Sequence, residues 1–507
     1  MVYTFTLPST AHLSFQSCIA SSSHPSFPQS ASTARHALRQ ALKNHKRLPR
    51  GAQQDAHLPS ILSAINAYLP YLLAISKGLN STPLDPNTAA PLQHVDITLR
   101  ADIEPQWRAT LTSSSVSSST RALKSSSSSR IRGHGIDFEI AFVLTTMGYV
   151  LSGLAHSAVI RTLYHRTTPT PDQRTAAVQT ATKYLLQASS VHSLLASMAP
   201  VSPTVRVPDL EPATQAALAS LALAEATLLA VLKDDSYVAA CIQARNPNDK
   251  DWMVRAPEIP KVRAHLFARL CIRAAEYADQ AAAGLGAVGA EGKAAIDEEL
   301  TRYVAVLGRV SRARACRFFG ADAELAGKIG EGIAWLRAAK GALGLRGGST
   351  SSSTDTAEAK SRGLSRLKQG WMERREERRM EKDAGSHRDH FEKGELGPGD
   401  SAGREEEGRV IEMLETKWVR MNDTINTQLI PPSADLLQNL PSGRDIHSPP
   451  APYSIPSLGD DQLLHMRAPP EDEFAPVSDM DDSDEDPIGG AKETLGGFPE
   501  RTDSAYY

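Results

Sequence analysis

Residues 213–232 read ATQAALASLALAEATLLAVL, and Glu225 carries the one charge in this stretch. A run this apolar can cross a membrane, fill the core of a helical protein, or offer an apolar surface to a partner. Each possibility implies a different protein, so the stretch decides both the fold class and the kind of function to expect.

Two unlike sides emerge when the stretch is placed on a helical wheel at about 100° per residue. Leucines gather on one side, with Glu225 in their middle, and alanines occupy most of the other side. We call the first side the leucine stripe, and its members are Leu218, Leu221, Leu228, Leu229 and Leu232.

A membrane-spanning role fits this stretch poorly. A charge at the bilayer centre costs about 2.5–3.5 kcal/mol, and Asp234 and Asp235 follow directly. In a soluble helix, the alanine side suits close packing between neighbours. A fully buried stripe would then need a cationic partner for Glu225, whereas a partly open stripe would leave Glu225 in water beside an apolar patch for an amphipathic helix. The wheel leaves both arrangements open.

The composition of the 507 residues favours helices over a β fold, because apolar residues make up 41% but aromatic residues only 6%. The net charge of −3 creates no field that would attract nucleic acid. Cys18, Cys241, Cys271 and Cys316 lack metal or redox spacing and are expected to be buried thiols. The N-terminus lacks the basic region of a signal peptide, so we expect a cytoplasmic protein.

Helical periodicity continues along most of the chain. Residues 2–7 and 94–99 alternate like short strands. Further helices are predicted at 34–49, 58–79, 137–163, 173–198, 213–233, 257–283, 293–319, 322–341 and 405–421.

Three segments do not follow this periodicity. The serine-rich residues 112–130 and the charged residues 342–403 are predicted to be disordered insertions. Residues 436–507 are predicted to be a disordered tail, because they are rich in proline and hold nine acids and no base within 471–486. The predicted domain therefore spans residues 1–435.

No sequence motif for catalysis is present. The phosphate-binding loop, the dinucleotide-binding glycines, the zinc-protease motif and the nucleophile elbow are all missing, so we expect no enzyme. Residues 34–50 hold six Lys and Arg and no acid, which suits either an anionic membrane surface or a solvated helix face. Within 309–319 we expect Phe318 in the core and the arginines in solvent.

Several segments, taken in order, resemble the Bro-one (BRO) domain family of ESCRT-associated scaffolds. DFEIAFVLTTMGYVLSGLA (137–155) looks like the family's F-E-x-x-x-V-L helix, although Thr145 and Thr146 stand where the family commonly has Phe-Asn. KIGEGIAWLRAAK (328–340) and NDTINTQLIP (422–431) resemble later family motifs. The resemblance implies a mainly α, boomerang-shaped BRO domain with a small N-terminal β element and tetratricopeptide-like antiparallel helix pairs.

The same resemblance implies an adaptor without catalytic activity or cofactor. Its concave face would bind the C-terminal amphipathic helix of an ESCRT-III filament subunit. The position that family members expose for this helix aligns on Leu221, and Leu218, Glu225 and Leu228 flank it by geometry. These four are the predicted partner-binding residues, and the leucine side is expected to face the partner while the alanine side packs inward.

Finer features, such as NDKDWMVRAPEIPKVRAHLFARL (248–270), resemble the branch of the family that acts in fungal alkaline-pH signalling. That branch implies a component that supports proteolytic activation of the transcription factor pacC, with the protease being another protein. Recruitment from the cytoplasm to plasma-membrane or endosomal sites is expected. The alternative is a helical scaffold acting mainly as a membrane-surface or endosomal trafficking adaptor.

Overall fold

The computed structural model places one compact unit at Met1–Arg467. The predicted boundary at residue 435 falls inside this unit. The two predicted insertions, and the tail beyond residue 467, lie mostly outside the described residues. The structure describes residues 2–80, 95–111, 130–164, 169–198, 207–243, 263–290, 296–345 and 402–467.

Helices dominate the described residues, as the periodicity predicts. The short helices at Ser236–Gln243, Ser433–Gln438 and Asp460–Met466 are not predicted, because six to eight residues give too few turns for a periodic signal. The helices are α1 (Phe27–Arg47), α2 (Ala52–Asn80), α3 (Ile136–Leu163), α4 (Pro171–Ser197), α5 (Pro212–Leu232), α6 (Ser236–Gln243), α7 (Ala264–Ala290), α8 (Glu298–Leu325), α9 (Ile329–Leu343), α10 (Arg404–Met421), α11 (Ser433–Gln438) and α12 (Asp460–Met466).

The long helices form a row in which each packs mainly on the helices before and after it in the chain. Small residues allow close approach: a Cβ added to Gly284 of α7 would lie 3.0 Å from the carbonyl oxygen of Ala213 on α5. Helices α2, α3 and α5 are long and apolar enough to cross a membrane, yet the apolar windows of α3 and α5 are 100% and 78% buried by the rest of the chain.

The β element is smaller than predicted: the predicted strand at 94–99 contains a two-residue strand at Thr98–Leu99, whereas residues 2–7 form none. Strand β4 (Gln106–Arg108) pairs antiparallel with β1 (Ser9–Thr10) and β5 (Ile131–Arg132), and β2 (Ile19–Ala20) pairs with β3 (Thr98–Leu99). Residues 2–7, which we call the N-terminal segment, pair with no described strand. Their alternation is nevertheless real, because Thr4 and Thr6 are exposed while the apolar side chains between them pack on the helices.

A buried ion pair joins the N-terminal helices to the β element. The Glu139 carboxylate of α3 accepts hydrogen bonds from Arg35 Nε at 2.8 Å, Tyr68 Oη at 3.0 Å and Trp107 Nε1 at 2.6 Å. Arg35 also donates to Thr10 of β1. Both oxygens of the buried Glu139 carboxylate are thus hydrogen-bonded. These bonds fix α1, α2, α3 and the sheet relative to one another.

A second buried ionic cluster anchors α10 on α8, and it corrects a prediction. Arg314 and Arg317, expected in solvent, are buried and bind Glu407 of α10, and Arg317 also binds Asp235. Burial alone would raise the pKa of Glu407, but the two guanidiniums hold it below its ordinary value. The prediction failed because Glu407 lies far along the chain. The cysteines are free and buried, as expected.

Candidate partner-binding site on helix α5

The predicted site residues do not face solvent in this structure. Leu218, Leu221 and Leu228 are each 2% exposed, and Glu225 is 1% exposed. The expectation that the leucine side of α5 is offered is therefore wrong for this conformation. The alanine side packs inward only in part, because Ala219 and Ala226 are buried. Contact between these four residues and a partner stays a prediction. Such contact requires that the segments covering these residues first move away.

The N-terminal segment and α8 cover the leucine stripe. The Tyr3 backbone N–H and the Tyr303 hydroxyl of α8 both donate to Glu225 Oε1, each at 2.8 Å. The two tyrosine rings lie 5.1 Å apart, and Phe5 stacks on Tyr149 of α3 at 4.5 Å. The stripe is thus closed by a segment more than 200 residues away in sequence.

The buried carboxyl of Glu225 is held by two neutral donors rather than by the Arg or Lys that a buried stripe was expected to need. Burial raises its pKa from 4.5 to about 7, against the opposing effect of the Tyr3 and Tyr303 hydrogen bonds. The group therefore changes charge near neutral pH, inside the fold.

The opposite side of α5 is partly accessible. Ala216 is exposed, and its neighbours along this side are half-buried, apart from Thr227 at the centre, which is buried. We call this surface the open side, and its members are Ala216, Ser220, Leu223, Thr227 and Ala230. A helical wheel shows which residue types lie on each side of a helix. It does not show which other segments of the chain cover each side.

Residues 441–467, which we call the strap, run back from the end of the row toward α1. At α7, Arg273 Nε binds Asp445 Oδ1 at 2.7 Å, and the Tyr277 hydroxyl donates to the same oxygen at 2.8 Å. The Gly443 N–H donates to Glu276 at 2.9 Å. These contacts fix the first residues of the strap on α7.

Past α7 the strap crosses α5 and α3. His447 is half-buried on this part of the strap. The Tyr453 hydroxyl lies 3.4 Å from Met147 Sδ of α3. Met147 and Tyr149 point about 200° apart on a helix, so the strap and the N-terminal segment lie on opposite sides of α3.

The strap ends on α1. Leu458, Leu463 and Met466 are buried, and the Ser26 hydroxyl donates to the Met466 carbonyl oxygen at 3.3 Å. This corrects the prediction that everything after residue 435 is a disordered tail, because residues up to 467 pack on the helices.

The predicted basic stretch forms a surface on α1 and just beyond it, without Arg35, which is buried against Glu139. Its remaining cations make no ion pair with any residue that the structure describes. We call them the basic surface, and its members are Arg39, Lys43, Lys46, Arg47 and Arg50.

No arrangement for catalysis stands out in the described ranges. A surface hollow of about 570 Å³ lies between α9 and α10, and Arg337 and Glu415 in its lining are paired with each other at 3.2 Å. No three His, Cys, Asp or Glu side chains within the described ranges are grouped so as to hold a metal ion.

Comparison with known proteins places these features in context. The BRO1-like domain profile matches residues 97–441. The pH-response regulator protein palC of Emericella nidulans is 65% identical over 517 residues, covering 100% of both chains. The palC protein of Cryptococcus neoformans is 25% identical over 511 residues, covering 90% of this chain and 92% of that one.

Solved structures show the same fold. The structure of the ALIX BRO1 domain in complex with CHMP4C superposes with a TM-score of 0.51 at 14% sequence identity, covering 90% of this chain and 96% of that one. At this level of identity the likeness concerns the arrangement of helices and carries no residue-level assignment.

Proposed function

The chain belongs to the BRO1-like domain family, and from that premise we propose that it is a non-enzymatic adaptor in ambient alkaline-pH signalling. The observation that carries the proposal is the 65% identity, over the full length, to a pH-response regulator. The adaptor binds an ESCRT-III filament subunit through that subunit's C-terminal amphipathic helix. It thereby supports proteolytic activation of the transcription factor pacC by another protein, at plasma-membrane or endosomal sites.

The docking surface we propose is the open side of α5. An amphipathic helix seats its apolar face on a shallow apolar groove, with anchors about one turn apart. Leu223 is a half-buried leucine on this side, and the small Ala216 and Ser220 beside it let a second helix approach closely. Arg269 and Arg273 on the neighbouring α7 are bound by the strap, through the Ser442 carbonyl and Asp445, and become available to an acidic partner when these contacts break.

The four stripe residues enter this proposal conditionally. Leu221 and its neighbours reach a partner only if the N-terminal segment first leaves Glu225, since Tyr3 now occupies that position. Binding at the stripe would therefore cost the hydrogen bonds and burial that the segment provides. Binding at the open side requires no such loss from the leucine side.

The test compares two aspartate substitutions on the same helix. A labelled peptide carrying the C-terminal amphipathic helix of the ESCRT-III subunit is titrated against the wild type, Leu223→Asp and Leu221→Asp. We expect Leu223→Asp to weaken binding by at least about 2 kcal/mol, roughly 30-fold, with an unchanged melting temperature. Leu221→Asp is expected to lower the melting temperature, since it places a charge in the core.

Two results would contradict this assignment. Full binding by a folded Leu223→Asp variant would remove the open side from the site. A Leu221→Asp variant that melts like the wild type but no longer binds would return the site to the leucine stripe. If the wild type shows no binding to the peptide, the adaptor function itself fails.

A second candidate function, a membrane-surface or endosomal trafficking adaptor, rests on the basic surface. Five cations without a described ion-pair partner lie on or next to α1, and each Lys or Arg near an anionic leaflet contributes about 1 kcal/mol. Flotation with phosphatidylserine vesicles should be lost on Lys43→Glu with Lys46→Glu and kept on Lys183→Glu, an exposed charge reversal on α4. Equal flotation of all three proteins would exclude the basic surface.

A further inference from the structure

The strap is held firmly at its two ends and loosely between them. At one end, Asp445 and Gly443 bind α7. At the other end, near α1, Leu463 and Met466 are buried. Between Asp445 and Leu458, most residues are exposed, and only a few side chains turn inward. The two ends thus position a middle portion that has little packing of its own.

Prolines limit the number of backbone hydrogen bonds that the middle of the strap can donate. Pro449, Pro450, Pro452 and Pro456 have no backbone N–H to donate. The last backbone hydrogen bond from the strap to a helix of the row, among the described residues, runs from Arg444 N–H to the Arg269 carbonyl at 3.1 Å. Farther along the strap, the contact with α3 comes from the Tyr453 side chain.

The strap nevertheless crosses the surface that a partner would need. On a helix, residues three and four apart share one side, so Thr227 lies between Leu223 and Ala230 on the open side. Thr227 is 2% exposed although its neighbours on this side are more open. The strap is bound to α7 at Asp445 and reaches Met147 of α3 at Tyr453, so the residues between these contacts pass α5, which lies between α3 and α7 in the row.

We propose that the strap is a built-in competitor of the partner helix: its middle crosses the open side of α5 near the buried Thr227 and must move away before an amphipathic helix can bind along the whole of that side. This inference rests on the proposed function for the identity of the partner.

The anchors on α7 control the lifting. Asp445 is the strap residue that both Arg273 and Tyr277 hold, and its side chain is 52% exposed, so its replacement leaves the core intact. Substitution of Gly443 is a second way to release the strap, because an added Cβ would lie 2.5 Å from the backbone N and Cα of Arg273. Any side chain at residue 443 therefore forces the strap away from α7.

The experiment uses the full chain in three forms: wild type, Asp445→Lys and Gly443→Val. Asp435→Lys is the matched control, since it makes the same charge change at an exposed residue of α11 without touching the strap anchors. Hydrogen exchange of the Arg444 amide reports strap release. Titration of the labelled ESCRT-III peptide then reports the affinity of each protein.

We expect faster exchange at Arg444 and tighter peptide binding in both strap variants, with the control unchanged. A strap that is open about a tenth of the time lowers the apparent affinity about tenfold, and release restores it. Peptide binding that is the same or weaker in both variants, while the wild type binds, overturns the inference alone. Absence of binding in every protein contradicts the proposed function instead.

Discussion

The two sides of α5 are covered in different ways. On the leucine side, Tyr3 and Tyr303 are hydrogen-bonded to a buried carboxyl, and the leucines of the stripe are 0–2% exposed. On the open side, a proline-rich strap crosses with few contacts, and Leu223 stays half-buried. The difference shows that the segments at either end of the compact unit, and not the composition of α5, decide which side is available.

The largest effect should follow from placing a charge on the covered side. Leu221→Asp buries a carboxylate without a cationic partner, and we expect the free energy of unfolding to fall by at least about 3 kcal/mol. Leu223→Asp on the open side should lower it by less than about 1 kcal/mol. Urea denaturation of both variants measures the contrast, and equal losses would abolish the distinction between the two sides.

The next largest effect is a pH dependence of the free energy of unfolding that comes from the ionisation of Glu225. Unfolded chains ionise this carboxyl near pH 4.5, whereas the folded protein does so near 7. The folded state therefore holds an extra proton between these values, and the free energy of unfolding falls as the pH rises from 4.5 to 7 and levels off above. The Glu225 contribution amounts to about 3 kcal/mol.

Glu225→Gln should remove this dependence while keeping the shape of the side chain. Burial lowers the pKa of His156 and His192 to about 4, so their stabilising contributions are lost as pH falls from 6.5 towards 4. Both proteins carry these histidines, and the difference between the two stability curves isolates Glu225. Parallel curves from pH 5 to 8 would show that the carboxyl has an ordinary pKa.

Removing one of the two hydrogen-bond donors to Glu225 should lower the free energy of unfolding by a smaller amount. Tyr303→Phe leaves Glu225 with the Tyr3 N–H and costs about 1–3 kcal/mol. The cost should be larger at pH 8 than at pH 5, because the lost hydrogen bond stabilises the ionised carboxyl more. Tyr71→Phe on α2 is the control, and thermal melts at the two pH values supply the measurement. A loss independent of pH would mean that Tyr303 acts by packing alone.

The smallest effect belongs to the open side. The ion pair of Asp445 with Arg273 is partly exposed, so Asp445→Asn should change the free energy of unfolding by less than about 1 kcal/mol. The thermal midpoint, measured beside that of Tyr303→Phe, makes the comparison direct. A loss as large as that of Tyr303→Phe would place the strap among the structural elements rather than the removable ones.

Local periodicity predicted most of the fold. Each long helix appears where apolar residues recur at helical spacing, because that spacing depends only on neighbours along the chain. Family motifs added the identity of the domain, and the match over residues 97–441 confirmed it. The strands were predicted less well, since two-residue strands such as β1 are defined by pairing with distant partners.

The candidate site was predicted only in part. The helix was correct, but the direction of its sides depends on contacts such as Tyr3 with Glu225, which link residues 222 positions apart. The same reason explains Arg317, whose charge is compensated by Asp235 and Glu407 rather than by water. A wheel treats each helix alone, so it cannot show which charged residue finds a buried partner.

Site-specific photo-crosslinking tests the central claim, that a partner helix docks on the open side of α5, most directly. Benzoylphenylalanine is placed at Ala216, which is exposed on the open side, or at Thr4, which is exposed on the N-terminal segment covering the leucine side. With the ESCRT-III peptide bound, we expect a crosslink from position 216 and none from position 4. A crosslink from position 4 alone would contradict the claim and place the partner on the leucine side.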